Sequence, residues 1–80
     1  MKLWLGNIAP ETTDEEIKAL VQKYGPGLTC TGIQRVEGTS RPGAFLEFSS
    51  EQPGALAKVS QRLNGMYWKQ QALACETVAF

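Results

Sequence analysis

A chain of 80 residues is long enough for one small domain, and its hydrophobic content of 42% is typical of a folded globular protein. Eight basic residues balance eight acidic ones, so the chain lacks the net positive charge of a strong, unspecific nucleic-acid binder. It contains no histidine, the commonest general base and metal ligand. No apolar run approaches the roughly 18 residues of a membrane helix. We therefore expect no membrane partner and no cofactor.

The first predicted element is a short strand, Leu3–Leu5, which Gly6 and Asn7 end. A capping box over Thr13–Glu16 then predicts the start of a helix, because the threonine hydroxyl can accept a hydrogen bond from the amide of Glu16. Gly25 and Pro26 end this helix. Its apolar stripe consists of Ile17, Leu20, Val21 and Tyr24.

Two β-prone segments follow, Leu28–Val36 and Ala44–Phe48, with a turn-rich loop at Glu37–Ser40 between them. Leu28 and Ile33 cannot face the same side of a regular strand, which indicates a β-bulge in the first of the two segments.

A second helix is predicted next, capped by Ser49 or Ser50 and with Pro53 in its first turn. Asn64-Gly65 ends it, and Leu73–Val78 forms a fourth strand. The apolar stripe of this helix is Leu56, Val59 and Leu63. The order β-α-β-β-α-β predicts an α+β fold, the ferredoxin-like sandwich of a four-stranded antiparallel sheet with two helices on one face. Residues 1–80 are expected to form this single domain.

Two segments of this plan carry motifs. The octamer Arg41–Phe48, RPGAFLEF, resembles the signature K/R-G-F/Y-G/A-F-V-x-F/Y of the RNA recognition motif family. The hexamer Leu3–Ile8, LWLGNI, is similar to the companion motif on the family's first strand. The resemblance extends to Leu63–Gly65 and so covers essentially the whole chain. It implies a module that binds single-stranded RNA on the open face of its sheet.

Alternation of side chains predicts which residues form that face. If Leu3 and Leu5 face the helices, Trp4 faces away from them, and Phe45 does so by the same parity. In the family these two strands are central neighbours, so both rings would lie side by side and stack on unpaired bases. Arg41 and Lys2 would add positive charge for phosphates. The expected RNA-binding residues are Trp4, Phe45, Arg41, Lys2, Gly43 and Glu47.

The octamer also departs from the family pattern. Gly43 stands where the family has Phe or Tyr, and Pro42 stands where it has Gly. One of three usual stacking rings is therefore missing, which predicts weak binding with two stacked bases. On this interpretation Gly43→Phe should restore a ring and strengthen binding.

A protein-binding module on the same fold is the main alternative. One family variant grips a peptide tryptophan with an acidic first helix and an R-x-F motif before the last strand. Here Met66–Trp68 stands in place of that motif, and helix capping explains the acids of Asp14–Glu16 better. We expect at least one of Tyr67 and Trp68 to pack against the edge of the core.

An enzyme of ferredoxin-like fold, such as an acylphosphatase, is not expected. That chemistry needs a glycine-rich phosphate loop with an arginine after the first strand, and Asn7–Pro10 contains none. No small-molecule substrate is therefore expected.

The sequence and the resemblance also give expectations for the cellular location and the source organism of the protein. The first apolar stretch has no signal-peptide pattern. The chain begins almost directly on its first strand, and short stand-alone members of the family are typical of bacteria. We therefore expect a monomer in a bacterial cytoplasm in preference to the alternative, a nuclear domain of a larger chain. Cys30 and Cys75 are expected on opposite edges of the sheet, too far apart for a disulfide.

Overall fold

The computed structural model describes residues 2–36, 38, 42–49 and 53–78. Within these ranges no helix combines the length and the apolar character that crossing a membrane requires. The elements in chain order are β1 Lys2–Gly6, α1 Asp14–Tyr24, β2 Cys30–Val36, β3 Gly43–Phe48, α2 Pro53–Leu63, β4 Tyr67–Trp68, β5 Gln71–Ala72 and β6 Ala74–Val78.

The main sheet has four strands in the order β2-β3-β1-β6, and every neighbouring pair is antiparallel. β1 and β3 are therefore the central pair. Both helices contribute to one core cluster with the inward side chains of these strands. The predicted ferredoxin-like α+β sandwich is confirmed.

Strict alternation along the central strands builds the core. Leu3 and Leu5 of β1 and Leu46 of β3 are fully buried, and each is two residues from the next inward position on its strand. The predicted helix stripes pack on them from α1 and α2. Their buried members are Ile17, Leu20, Val21, Leu56, Val59 and Leu63.

The N-terminus of α1 has the predicted capping box. The Thr13 hydroxyl accepts a hydrogen bond from the Glu16 amide, and the Glu16 carboxylate accepts one from the Thr13 amide. Lys69 Nζ lies 2.7 Å from the same carboxylate. The hydrogen bond from Lys69, followed by that from the Thr13 backbone, holds the pKa of Glu16 below its ordinary value.

β2 contains the bulge that the positions of Leu28 and Ile33 indicate. The pairing register with β3 shifts between Cys30 and Gly32, so Thr31 is the extra residue. The strand begins at Cys30 and not at Leu28, whose amide donates to the carbonyl of Gly25 in the turn after α1.

A small hairpin before the last strand was not predicted. β4 and β5 pair through a two-residue turn, Lys69-Gln70, with φ of 51° and 67°. Two positive φ values are typical of a type I′ turn, which usually contains Asn or Gly. Because Lys and Gln are uncommon there, the sequence carries no recognisable signal. The last strand then starts at Ala74, one residue later than expected.

Cys30 and Cys75 lie on β2 and β6, the two edges of the sheet, with two strands between them, in agreement with the predicted strand order. Burial raises the pKa of the Cys75 thiol to about 11, so it stays protonated at neutral pH. Ser50, one of the two candidate caps of α2, lies outside the described residues, whereas the prediction of Pro53 in the first turn is confirmed.

Truncation of the inward strand residues tests this packing. Leu5→Ala and Leu46→Ala should each lower the free energy of unfolding by about 2–5 kcal/mol, because both side chains are fully buried and leave a cavity. Urea unfolding followed by circular dichroism measures the change. Tyr67→Ala is the control, since Tyr67 is 73% exposed and should leave stability nearly unchanged. Equal losses in all three variants would contradict the assigned faces.

Candidate functional site

The pairing register shows which residues lie on the side of the sheet away from the core. Residues paired directly across antiparallel strands share a face, so the partners of Trp4 lie on the same face as Trp4. We call this surface the open face. Its residues on the four strands are Gly32, Gln34, Val36, Gly43, Phe45, Glu47, Lys2, Trp4, Gly6, Ala74, Glu76 and Val78.

Trp4 and Phe45 form the centre of the open face. Their Cα atoms are register partners on β1 and β3. The ring centroids are 4.8 Å apart, and the ring planes are tilted by 49°. Both residues are half-buried, so each ring keeps an accessible part. The geometry is that of a favourable aromatic pair, and it provides two adjacent apolar surfaces at an angle to each other.

The indole of Trp4 lies over Gly6 and Gly43, which are themselves register partners. A Cβ atom on Gly6 would lie 2.8 Å from indole Nε1. A Cβ atom on Gly43 would collide with Cη2 and Cζ2 of the indole and lie 2.8 Å from the carbonyl oxygen of Leu5. Gly43 is accordingly buried, although it belongs to the open face. The two glycines form the floor on which the indole rests.

This contact corrects the expectation for Gly43→Phe. Gly43 is not among the residues with positive φ, so its backbone conformation is open to other residues. The space beside its Cα is nevertheless occupied by the Trp4 ring and the Leu5 carbonyl. A phenylalanine would displace the indole and would not add a third ring. The sequence pattern indicated a missing ring, but it contained no sign that the neighbouring ring covers the position.

The open face carries little positive charge. Among its described residues the ionisable groups are Lys2, Glu47 and Glu76, one cation and two carboxylates. Lys2 Nζ lies 3.8 Å from Glu47 Oε2, in a partly exposed ion pair. Arg41, the other residue predicted to contact phosphate, lies outside the described residues. Four of the predicted site residues are thus in direct register: Trp4 with Phe45, and Lys2 with Glu47.

Two of the other basic side chains are engaged on the opposite side of the sheet. Arg35 Nη1 donates to the Thr12 carbonyl and to the Asp14 carboxylate, each at 3.0 Å, and so ties β2 to the start of α1. Lys69 is bonded to Glu16. Both cations contribute to internal contacts on the helix side of the molecule.

A shallow groove of about 420 Å³ lies between α1 and β4, next to Tyr67. Trp68 packs partly buried against the core, as predicted for one of the two aromatics, whereas Tyr67 is exposed. Two of the three acids at the start of α1 are occupied, since Asp14 binds Arg35 and Glu16 binds Lys69. The groove is lined by Glu16, Ala19, Leu20, Lys23, Tyr24, Met66, Tyr67 and Trp68.

Comparisons with known proteins agree with this architecture. A family model described as "RNA recognition motif" matches residues 3–74. A polyadenylate-binding protein, cytoplasmic and nuclear, from Chaetomium globosum is 34% identical over 71 residues, which are 89% of this chain. The chain spans only 9% of that relative's length. The expected bacterial source gains no support, since this relative is fungal.

Solved structures show the same fold. The third RNA recognition motif of Pes4 superimposes with a TM-score of 0.81 at 16% identity, covering 99% of this chain and 92% of the other. The RNA recognition motif of Rna15 with bound RNA (GU) gives a TM-score of 0.74 at 26% identity, covering 99% and 83%.

Gly43→Ala tests whether the indole rests on the glycine floor. The new methyl group should displace the ring and lower the free energy of unfolding by about 1–3 kcal/mol, as overpacking does. Gly32→Ala is a matched control on the same face, because its Cβ would meet only the Cβ of Glu47, at 3.9 Å. The NMR shift of the Trp4 indole N–H should move in the first variant and stay in the second. An unmoved indole signal in Gly43→Ala would refute this arrangement.

Proposed function

Because the chain belongs to the RNA recognition motif family, we propose that it binds single-stranded RNA by stacking bases on Trp4 and Phe45. Family membership supports RNA binding in general, and the Rna15 motif, 26% identical to this chain, has been solved with bound RNA (GU). Stacking on the open face is our specific proposal for this chain.

The observation that carries the proposal is the aromatic pair itself. Two half-buried rings 4.8 Å apart lie at the centre of the sheet and not beneath the helices. A half-exposed aromatic pair leaves apolar surface in contact with water, and an unstacked base can cover it. Stacking depends little on base identity, because every base has a π-face, so it suits a surface with few hydrogen-bonding groups.

The remaining site residues have supporting roles in this proposal. Gly43 keeps the indole low on the sheet. Lys2 and Glu47 flank the rings as an ion pair, in which Lys2 can turn its ammonium group to a phosphate. Arg41 remains proposed as a second phosphate contact from the sequence pattern alone.

The proposal covers residues 1–80 as one RNA recognition motif unit, and the matched range of 3–74 supports it. The family is a nucleic-acid-binding, non-enzymatic domain, and we propose no catalysis here. A cytoplasmic location and a monomeric state stay predictions.

A protein partner is the second candidate, and the exposed ring of Tyr67 beside the α1–β4 groove favours it. The internal ion pairs of Asp14 and Glu16 count against it, because these acids are then not available to a basic peptide. This second function would be favoured if the unmodified protein binds no RNA and the Tyr67→Ala variant no longer binds a protein partner.

Removal of either ring tests the first proposal. Trp4→Ala and Phe45→Ala should each weaken binding of labelled single-stranded RNA by about 1–3 kcal/mol, since each removes a stacking surface. Fluorescence anisotropy measures the affinity, and thermal melts should show folded protein, because neither side chain leaves a core cavity. Tyr67→Ala removes a ring outside the four-stranded sheet and is the control. Unchanged RNA affinity in both sheet variants would reject the stacking site.

Binding should depend only mildly on salt. With only two or three basic residues placed to meet phosphates on a single strand, the slope of log affinity against log salt is roughly −1.4 to −2. Titrations over a range of potassium chloride concentrations measure it. A much steeper slope would reveal a further basic surface, for which the exposed Lys58 and Arg62 of α2 are the first candidates.

A further inference from the structure

The open face carries a second carboxylate besides that of Glu47, the carboxylate of Glu76. Glu76 is the register partner of Trp4 on β6, the opposite side from Phe45. Its side chain is exposed, and within the described part of the chain it takes part in no hydrogen bond or ion pair. Glu47, by contrast, has Lys2 beside it. Glu76 is therefore the acceptor that the open face leaves unpaired next to its largest ring.

The neighbours of Glu76 give it room to reach that ring. The other outward residues of β6 are Ala74 and Val78, which have no side-chain hydrogen-bonding group, and Ala74 pairs with Gly6 at the end of the indole floor. Directly opposed residues on antiparallel strands have Cβ atoms about 4.5–5.5 Å apart. A base stacked on the indole would thus have one edge open to the Glu76 carboxylate.

The chemistry of a carboxylate selects among the bases. An ionised Glu only accepts hydrogen bonds, and its two oxygens can accept two parallel ones. Guanine offers two adjacent donors, N1–H and the N2 amino group, on its Watson–Crick edge. Uracil offers one N–H between two carbonyl oxygens, which a carboxylate would repel. Cytosine and adenine each offer one amino group beside an acceptor nitrogen. Charge-assisted pairs of this kind are short and strong.

We propose that Glu76 makes this domain select guanine at the position that stacks on Trp4. The inference rests on the proposed function, since it needs a base on that ring. It assigns a residue outside the sequence motifs to base recognition. The described residues of the open face include more carboxylates than cations, which would repel phosphates. Such a face can still bind RNA if the Glu76 carboxylate binds a base edge and not a phosphate.

The test compares oligouridines that carry a single central guanosine, inosine or uridine. Inosine keeps N1–H but lacks the amino group, so it removes one of the two donors. The unmodified protein should bind the guanosine oligonucleotide about tenfold more tightly than the uridine one, with inosine between them. Glu76→Gln should lose most of this discrimination, because the amide replaces one acceptor by a donor. Fluorescence anisotropy gives the three affinities for each variant.

Two further variants sharpen the comparison. Glu11→Gln makes the same charge change in the loop before α1, outside the sheet, and should keep the preference for guanosine. Glu76→Thr, which suits an edge strand, should lose it as Glu76→Gln does. A guanosine preference that survives both changes at Glu76, or binding without any base preference, would overturn the assignment of Glu76 and leave the stacking proposal standing. Failure of the unmodified protein to bind any of the three oligonucleotides would overturn the proposed function and this inference with it.

Discussion

The Trp4 indole can lie flat across the centre of the sheet only because positions 6 and 43 both lack a side chain. Gly6 and Gly43 face each other across β1 and β3, two residues along each strand from the pair of Trp4 and Phe45. Glycine weakens a strand, since it has no side chain to pack and loses more backbone freedom on folding. Here the ring covers both glycines and takes the place of the missing contacts. The presence of two glycines at the centre of the open face follows from this one close approach.

In the proposed mode of binding, the same contact prepares the ring to receive a base. A tryptophan on an open sheet would lose side-chain freedom when a base stacks on it, and that loss reduces affinity. The glycine floor and the Phe45 ring already restrict Trp4 in the free protein. A base that stacks on such a restrained ring therefore costs less side-chain entropy than a base that stacks on a freely rotating one. This restraint offsets part of the affinity that is lost because position 43 carries no third ring.

The sequence predicted the fold well because its signals are local. The capping box at Thr13–Glu16, the alternation about Trp4 and the bulge near Thr31 each depend on residues close in the chain, and all three are present. The β4–β5 hairpin was missed because its turn residues, Lys69-Gln70, are not the usual ones. The role of Gly43 was misjudged for a different reason: the ring that fills its space comes from a strand nearly forty residues away, and no local pattern reports such a contact.

The distribution of charge bears on how a neutral chain can recognise RNA at all. Arg35 and Lys69 are tied to Asp14 and Glu16, so two of the cations hold β2 and the small hairpin against α1 and contribute little field at the open face. Lys2 shares its charge with Glu47. Attraction to phosphates at the open face is thereby limited, and the electrostatic part of the affinity is small. In such a protein stacking supplies affinity with little base preference, and hydrogen bonds to base edges carry the sequence information.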